Sequence, residues 1–204
     1  MIVQNSCLGL VSSNSYLIGD GKEAVLIDAG ARLEDVKKLV DASGMTLKMV
    51  FLTHCHFDHI AYADEIREHY GVPAVIHQFD APGFQDPRLS GGVLFQSELR
   101  IKPADIQVSD GESLPVGDLS YRVIHTPGHT KGGICILAED HLFCGDTLFR
   151  SSIGRTDLAG GDFDELISSI KEKLFTLDEK ITVYPGHGPS STIGTEKKTN
   201  PFLR

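Results

Sequence analysis

No stretch of the 204 residues approaches the roughly 20 consecutive apolar positions that a bilayer-spanning helix needs. Met1-Ile2-Val3-Gln4 carries no basic leader ahead of an apolar segment, so a soluble, unexported, cytoplasmic chain with no membrane partner is expected. Lysine and arginine form no cluster and the formal net charge is -9, which argues against nucleic acid as a partner, because neutralising phosphates needs grouped cations. A few local cations would still let such a chain hold a small anion. There is no Cys-x-x-Cys pair: Cys7, Cys55, Cys135 and Cys144 are scattered, so neither a disulfide scaffold nor a zinc ribbon is indicated. Cys135 and Cys144 could face each other from neighbouring strands, with reduced core thiols as the default.

What is present suits one core. At 204 residues with 41% hydrophobic content, a single domain over residues 1–204 is expected. Short apolar runs at Ile2 to Leu8, Ser15 to Gly19 and Glu23 to Asp28 read as strands, the last two joined by a Gly19-Asp20-Gly21 turn. Leu33, Val36, Leu39 and Val40 recur at helical spacing and Gly44 closes that helix. Further strands are expected at Met49 to Leu52, Pro73 to Ile76, near Ile106, at Tyr121 to Ile124, Gly133 to Leu137, His141 to Cys144 and Ile181 to Tyr184. Helices are expected from the chain turn after Asp58-His59 to Gly71 and from Asp162 to Phe175, the second opened by the capping pattern Asp162-Phe163-Asp164-Glu165. Periodicity fades from Asp80 to Asp105, a long connection that reads equally as a wall or lid beside the site and as a surface excursion. Two sheets face to face with helices outside would bury both helical stripes, a four-layer αββα sandwich of the α/β class.

The chemistry concentrates in Thr53-His54-Cys55-His56-Phe57-Asp58-His59, directly after the run Met49-Val50-Phe51-Leu52. At the end of an extended strand, His54 and His56 point the same way and can reach one ion, while strand alternation turns Cys55 away. Asp58 and His59 fall where the chain enters a helix and leave in another direction, so one segment could serve two neighbouring ions. Three further candidates, His129, Asp146 and His187, each stand beside a glycine where a strand ends, and glycine permits the sharp turn and close approach that a ligand needs. His69, His77, His125 and His141 fit no ligand spacing.

On these residues, and on Val25-Leu26-Ile27-Asp28-Ala29-Gly30, Gly145-Asp146-Thr147-Leu148-Phe149, Gly154-Arg155-Thr156-Asp157-Leu158 and Asn200-Pro201-Phe202-Leu203, the sequence resembles the metallo-β-lactamase superfamily and, within it, the short glyoxalase II-like (hydroxyacylglutathione hydrolase-like) proteins. The resemblance implies the αββα fold and two metal sites. His54, His56 and His129 would hold the first cation, Asp58, His59 and His187 the second, and Asp146 would bridge. Imidazole and carboxylate without thiolate suit zinc first, with iron and manganese as alternatives. Asp28 would orient a ligand loop, while Arg155 and Lys131 would meet an anionic substrate at the rim.

A divalent cation lowers the pKa of bound water from about 16 to about 7, so the expected nucleophile is a hydroxide oriented by Asp58. A thiolate, with a free-thiol pKa near about 8.5, leaves with little acid assistance, whereas an amide nitrogen must be protonated. The expected function is therefore metal-dependent hydrolysis of a small thioester, glutathione-linked or otherwise. Glyoxalase II proper adds a C-terminal helical domain that helps to hold glutathione; these residues have no counterpart of it, which leaves a smaller thioester open. Ala61-Tyr62 also replaces glycines usual in the family, a change expected to reshape the pocket. Two rivals stand beside this reading: a persulfide dioxygenase with one iron on His54, His129 and Asp146, and a non-catalytic, metal-stabilised binding module.

Overall fold

The computed structural model describes residues 1–6 and 9–204; Cys7 and Leu8, the end of the first expected strand, lie outside the described residues. Strands β1 (Ile2–Ser6), β2 (Ser15–Gly19) and β3 (Glu23–Ile27) form an antiparallel meander. The Asp20 carboxylate fixes its second turn by accepting from the backbone N–H of Lys22 and Glu23. Helix α1 (Leu33–Ser43) ends where Gly44 takes φ +67°, a left-handed conformation that glycine adopts without a Cβ penalty. The chain then returns as β4 (Thr46–Phe51), parallel to β3, followed by α2 (Phe57–Ile60), α3 (Ala63–Tyr70), β5 (Ala74–His77) and β6 (Ile106–Val108). The first sheet runs β1-β2-β3-β4-β5-β6.

The second sheet uses β7 (Ser113–Val116), β8 (Leu119–His125), β9 (Ile134–Ala138) and β10 (His141–Gly145). A two-stranded hairpin, β11 (Leu148–Phe149) and β12 (Ser152–Ile153), stands outside it. Helix α4 (Phe163–Ser169) continues through a π-helical turn over Ile170–Leu174. Then come β13 (Thr182–Pro185), β14 (Ser191–Thr192) and α5 (Ile193–Thr199), giving the order β14-β13-β10-β9-β8-β7.

Strand alternation separates three cores. In β2, Leu17 faces α1 and α3 while Tyr16 and Ile18 face the space between the sheets; in β10, Phe143 faces that space and Leu142 faces α4. Three apolar layers between two sheets and two sets of helices make the four-layer αββα sandwich that the sequence pattern predicts. Across the middle layer Phe143 and Tyr184 stack 4.9 Å apart, and Tyr16 meets both edge-on at 5.3 and 5.5 Å. Cys135 and Cys144 lie on paired strands as free, buried thiols, as does Cys55 elsewhere.

The fold departs from the sequence reading at particular elements. The helix expected up to Gly71 is broken at Ala61-Tyr62, where Tyr62 donates its N–H to the carbonyl of Ala29 and packs against the outer core, so this pair does not crowd the cavity described below. The β11–β12 hairpin and β14, of two residues per strand, are too short to show a period, and β7 and α5 lack a run or stripe of apolar residues. Among the described residues, no helix is long and apolar enough to cross a membrane.

At the start of α4, the Asp162 carboxylate accepts the Glu165 N–H at 2.9 Å. Asp162→Ala should lower the unfolding free energy by about 1 kcal/mol, the usual cost of a lost N-cap, read as a lower urea midpoint at unchanged m-value.

Candidate metal centre

The C-terminal ends of β3, β4, β8, β10 and β13 deliver Asp28, His54, His129, Asp146 and His187 to one edge of the sandwich. At that edge, three sets of side chains bring potential ligand atoms within 4.8 Å of one another: His54, His56 and His129; His54, His59 and Asp146; and Asp58, His59 and His187. All seven sequence-predicted ligands belong to this constellation. His56 Nδ1 faces His129 Nε2 at 2.8 Å, and His187 Nε2 stands 3.2 Å from Asp58 and 3.5 Å from Asp146.

Local backbone demands account for the glycines beside the ligands. A Cβ on Gly186 would lie 2.1 Å from Asp146 Oδ1 and 2.7 Å from the His59 ring, so only glycine lets the chain pass this close to the cluster. Gly128, with φ +124°, presses against the backbone of Leu166 and seats the His129 loop on α4.

Two of the rings are aimed by a partner on the far side. His59 Nδ1 donates to Asp28 Oδ2 at 2.7 Å, and His129 Nδ1 donates to the Arg155 carbonyl at 2.7 Å, which leaves both Nε2 atoms facing the centre. Asp28 also accepts from the Thr53 N–H and hydroxyl, tying β3 to the turn that carries His54. It does so at φ +60°, a left-handed conformation that a non-glycine residue adopts only when its surroundings enforce it.

A divalent cation fits this donor set. His54 Nε2 and, within the cluster, Asp146 Oδ1 are buried with no hydrogen-bond partner, an arrangement that a protein does not leave unmet. Burial, reinforced by the neighbouring imidazoles, holds His54 and His56 well below the usual histidine range, so both stay neutral and carry a lone pair. For Asp58, burial favours the acid form, but His59 and His187 outweigh it and pull the carboxyl down to about 2. Burial likewise opposes charge on His59, yet Asp146, Asp28 and Asp58 overcome it and raise this group to about 10.

Above the cluster opens a cavity of about 360 Å³ whose lining includes His56, Asp58, His129, Asp146 and His187. Ser90, Gly91 and Phe95 also line it, and Ser90 accepts the Phe57 N–H, so the long connection after Asp80 forms one wall of the site. Arg155 stands in the lining with its guanidinium forked onto Asp157 at 2.7 and 2.8 Å. Lys131 does not stand at this rim, contrary to the sequence expectation. The turn after His129 carries it into a neighbouring cavity, against Gly160 and beside Phe79 and Asp80. His77 and His125 stack on each other 4.0 Å apart, and neither joins a ligand set, nor do His69 and His141.

The sequence matches the family model of the metallo-beta-lactamase superfamily over residues 8–187. The chain belongs to that superfamily. A Haemophilus influenzae relative, hydroxyacylglutathione hydrolase GloC, is 34% identical, the match covering 93% of this chain and 91% of the relative. Two solved structures are similar throughout. One is the BLEG-1 B3 metallo-beta-lactamase, with TM-score 0.94, 39% identity and coverage of 99% of both chains. The other is TTHA1623 in a di-iron-bound form, with TM-score 0.85, 33% identity and coverage of 98% of this chain and all of that one. The protein is thus a metallo-hydrolase of the metallo-beta-lactamase superfamily with a cluster that fits divalent metal.

One residue of this superfamily site escaped the sequence reading. Asp80, buried among the loops, accepts from the N–H of Cys55 at 3.0 Å, the Thr130 hydroxyl at 2.7 Å and the Gly132 N–H at 2.6 Å. Cys55 sits between His54 and His56, and Thr130 follows His129, so a single carboxylate clamps the two loops of the first cluster. Only the His-x-x-Asp spacing after β5 marks it in the sequence, a weak signal by itself.

Asp80→Ala should weaken cation binding at the His54, His56 and His129 cluster by about ten- to a hundredfold and leave the other cluster little changed, as measured by competition with a chelator. Asp80→Asn, which keeps one acceptor oxygen, should recover part of the loss; unchanged affinity in Asp80→Ala would contradict the clamp. The raised pKa of His59 has a second consequence. Without metal this imidazole is protonated at pH 7, so a cation that takes its Nε2 must displace a proton. Metal loading at pH 7 should therefore release at least one proton, read by calorimetry in two buffers of different ionisation enthalpy, and apparent affinity should rise about tenfold per pH unit from pH 6 to 8.

Proposed function

We propose that the protein hydrolyses thioesters with a dinuclear metal centre. In this reading His54, His56 and His129 hold one cation, Asp58, His59 and His187 the other, and Asp146 is shared. Cations held there would supply hydroxide at neutral pH and polarise a carbonyl oxygen. Zinc suits the ligand set, and the di-iron form of TTHA1623 makes iron the alternative to test.

Asp58, ionised beside His59 and His187, is in position to accept a hydrogen bond from an incoming water and aim its lone pair at the carbonyl carbon. The observation that carries the thioester assignment is what the rest of the cavity lacks. Apart from the ligands, its described polar lining consists of Ser90, Ser152 and Arg155, none of which is an acid able to protonate a departing amide nitrogen. A thiolate leaves without that help. The likeness to GloC supports the same reaction class.

The likeness to BLEG-1 favours a second reading, opening of a β-lactam amide. A paired assay separates the two: metal-loaded protein should turn over small thioesters, lactoylglutathione included, at least about a hundredfold faster than a chromogenic cephalosporin. Elemental analysis should find two cations per chain; a single iron with oxygen uptake on glutathione persulfide would overturn the proposal in favour of a dioxygenase. His56→Ala should lose the first cation and at least about 99% of thioester turnover while keeping the wild-type circular dichroism spectrum. Full turnover in that variant would contradict the ligand assignment, and full metal occupancy with no turnover of any substrate would point to a binding module.

A further inference from the structure

The walls of the cavity have a chemistry of their own, distinct from its floor. Val11 comes from the loop after β1, Phe57 from the start of α2, Phe95 from the long connection, Phe149 and Ile153 from the β11–β12 hairpin, and Leu158 from the segment before α4. These apolar side chains therefore converge over the metal ligands from separate parts of the chain. Two of them remain open to water, Phe95 at 55% and Val11 at 57% of full exposure, although Phe95 also packs its ring 4.8 Å from Phe57. Val11 sits at φ +56°, a conformation that β-branched residues avoid, so the fold accepts backbone strain to hold this side chain at the mouth.

Charge points the same way. Arg155 is the one cation in the described lining, and Asp157 already occupies its fork. Lys131 faces the neighbouring cavity. A glutathione conjugate carries two carboxylates, and the described walls offer neither of them an unpaired cation.

We infer that this cavity takes the apolar acyl half of a thioester, an aliphatic or aryl acyl chain lying against Val11, Phe95, Phe149 and Leu158 with its carbonyl at the metal ligands. This rests on the thioester-hydrolase reading and narrows it. The acyl group is the half assigned to the walls because carrier thiols are long and polar and are better left in water. Hydrolysis breaks the carbonyl carbon–sulfur bond, water supplies the oxygen of the new carboxylate, and the thiolate takes a proton from solvent; no redox partner is involved. An upstream reaction that loads acyl chains onto a thiol would supply such a substrate.

The test is a series of S-acyl-N-acetylcysteamines, from acetyl through butanoyl and hexanoyl to octanoyl, on metal-loaded protein. kcat/KM should rise about two- to fourfold per added methylene, chiefly through KM, as expected for burial of each group. Phe95→Ala, which removes a largely exposed ring, should cost progressively more as the chain lengthens. A flat or falling series, or lactoylglutathione exceeding octanoyl-N-acetylcysteamine in kcat/KM, overturns the inference while leaving thioester hydrolysis intact. If no thioester is turned over, the hydrolase reading fails separately, and the cavity is then judged by calorimetric binding of the free acids. Octanoate binding at least tenfold tighter than acetate, with the difference reduced in Phe95→Ala, upholds the apolar assignment; equal affinities reject it.

Discussion

Five imidazoles and two carboxylates crowd one edge of the sandwich, mostly buried, with an unmet nitrogen on His54 and an unmet oxygen on Asp146. That crowding is the constraint on which the rest of the site depends. Without metal, protein groups compensate only in part: the carboxylates around His59 hold a proton on it, while His54 and His56 stay neutral because burial and the neighbouring imidazoles make charge costly. A divalent cation would satisfy the lone pairs that no hydrogen-bond donor reaches, and its binding would then contribute to folding as well as to chemistry. The surrounding architecture makes sense in that light. Asp28, at a strained backbone conformation, and Asp80, beneath the loops, both spend buried carboxylates on holding ligands in place rather than on binding metal themselves.

Much of this was legible in the sequence because both signals that matter are local. The short apolar runs of β2 to β4 and the stripes of α1 and α4 are short-range patterns, and they are enough to give the sandwich. The ligands stand at strand ends beside glycines, and Gly186 shows why: any side chain there would occupy the cluster. What the sequence hid depends on long-range placement. In the sequence Asp80 marks only the start of the unpatterned connection, and its partners Cys55 and Thr130 are 25 and 50 residues away. Lys131 follows a ligand by two positions, yet the turn swings it into another cavity, so nearness in sequence misled. The wall residues were illegible for the same reason, since Val11, Phe95 and Phe149 share no motif and meet only in space.

The distinction between floor and walls also explains how a single likeness can extend to proteins with different names. The floor is built from strand ends, fixed by two sheets and by hydrogen bonds behind His54, His59 and His129, and in the proposed reading it is where a water would be activated next to a carbonyl. The walls come from a loop, a long connection and a two-stranded hairpin, which can change without disturbing the ligands. A 39% likeness to a β-lactamase and a 34% likeness to a hydroxyacylglutathione hydrolase are then compatible, because both leave room for differences in the walls.

Choice of substrate must follow from the walls, and the walls make a coherent physical case. An acyl chain lying against these apolar side chains would displace water from above the ligands, and the lower local polarity would strengthen the interaction of bound cations with a carbonyl oxygen. The same surface that favours an acyl chain thus improves the chemistry beneath it. A glutathione-binding wall would need unpaired cations, whose charge would compete with the metals for the carboxylates of Asp58 and Asp146. Arg155, the one cation in the described lining, is forked onto Asp157, so in the proposed reading hydrophobic contact would be the means of holding the acyl group.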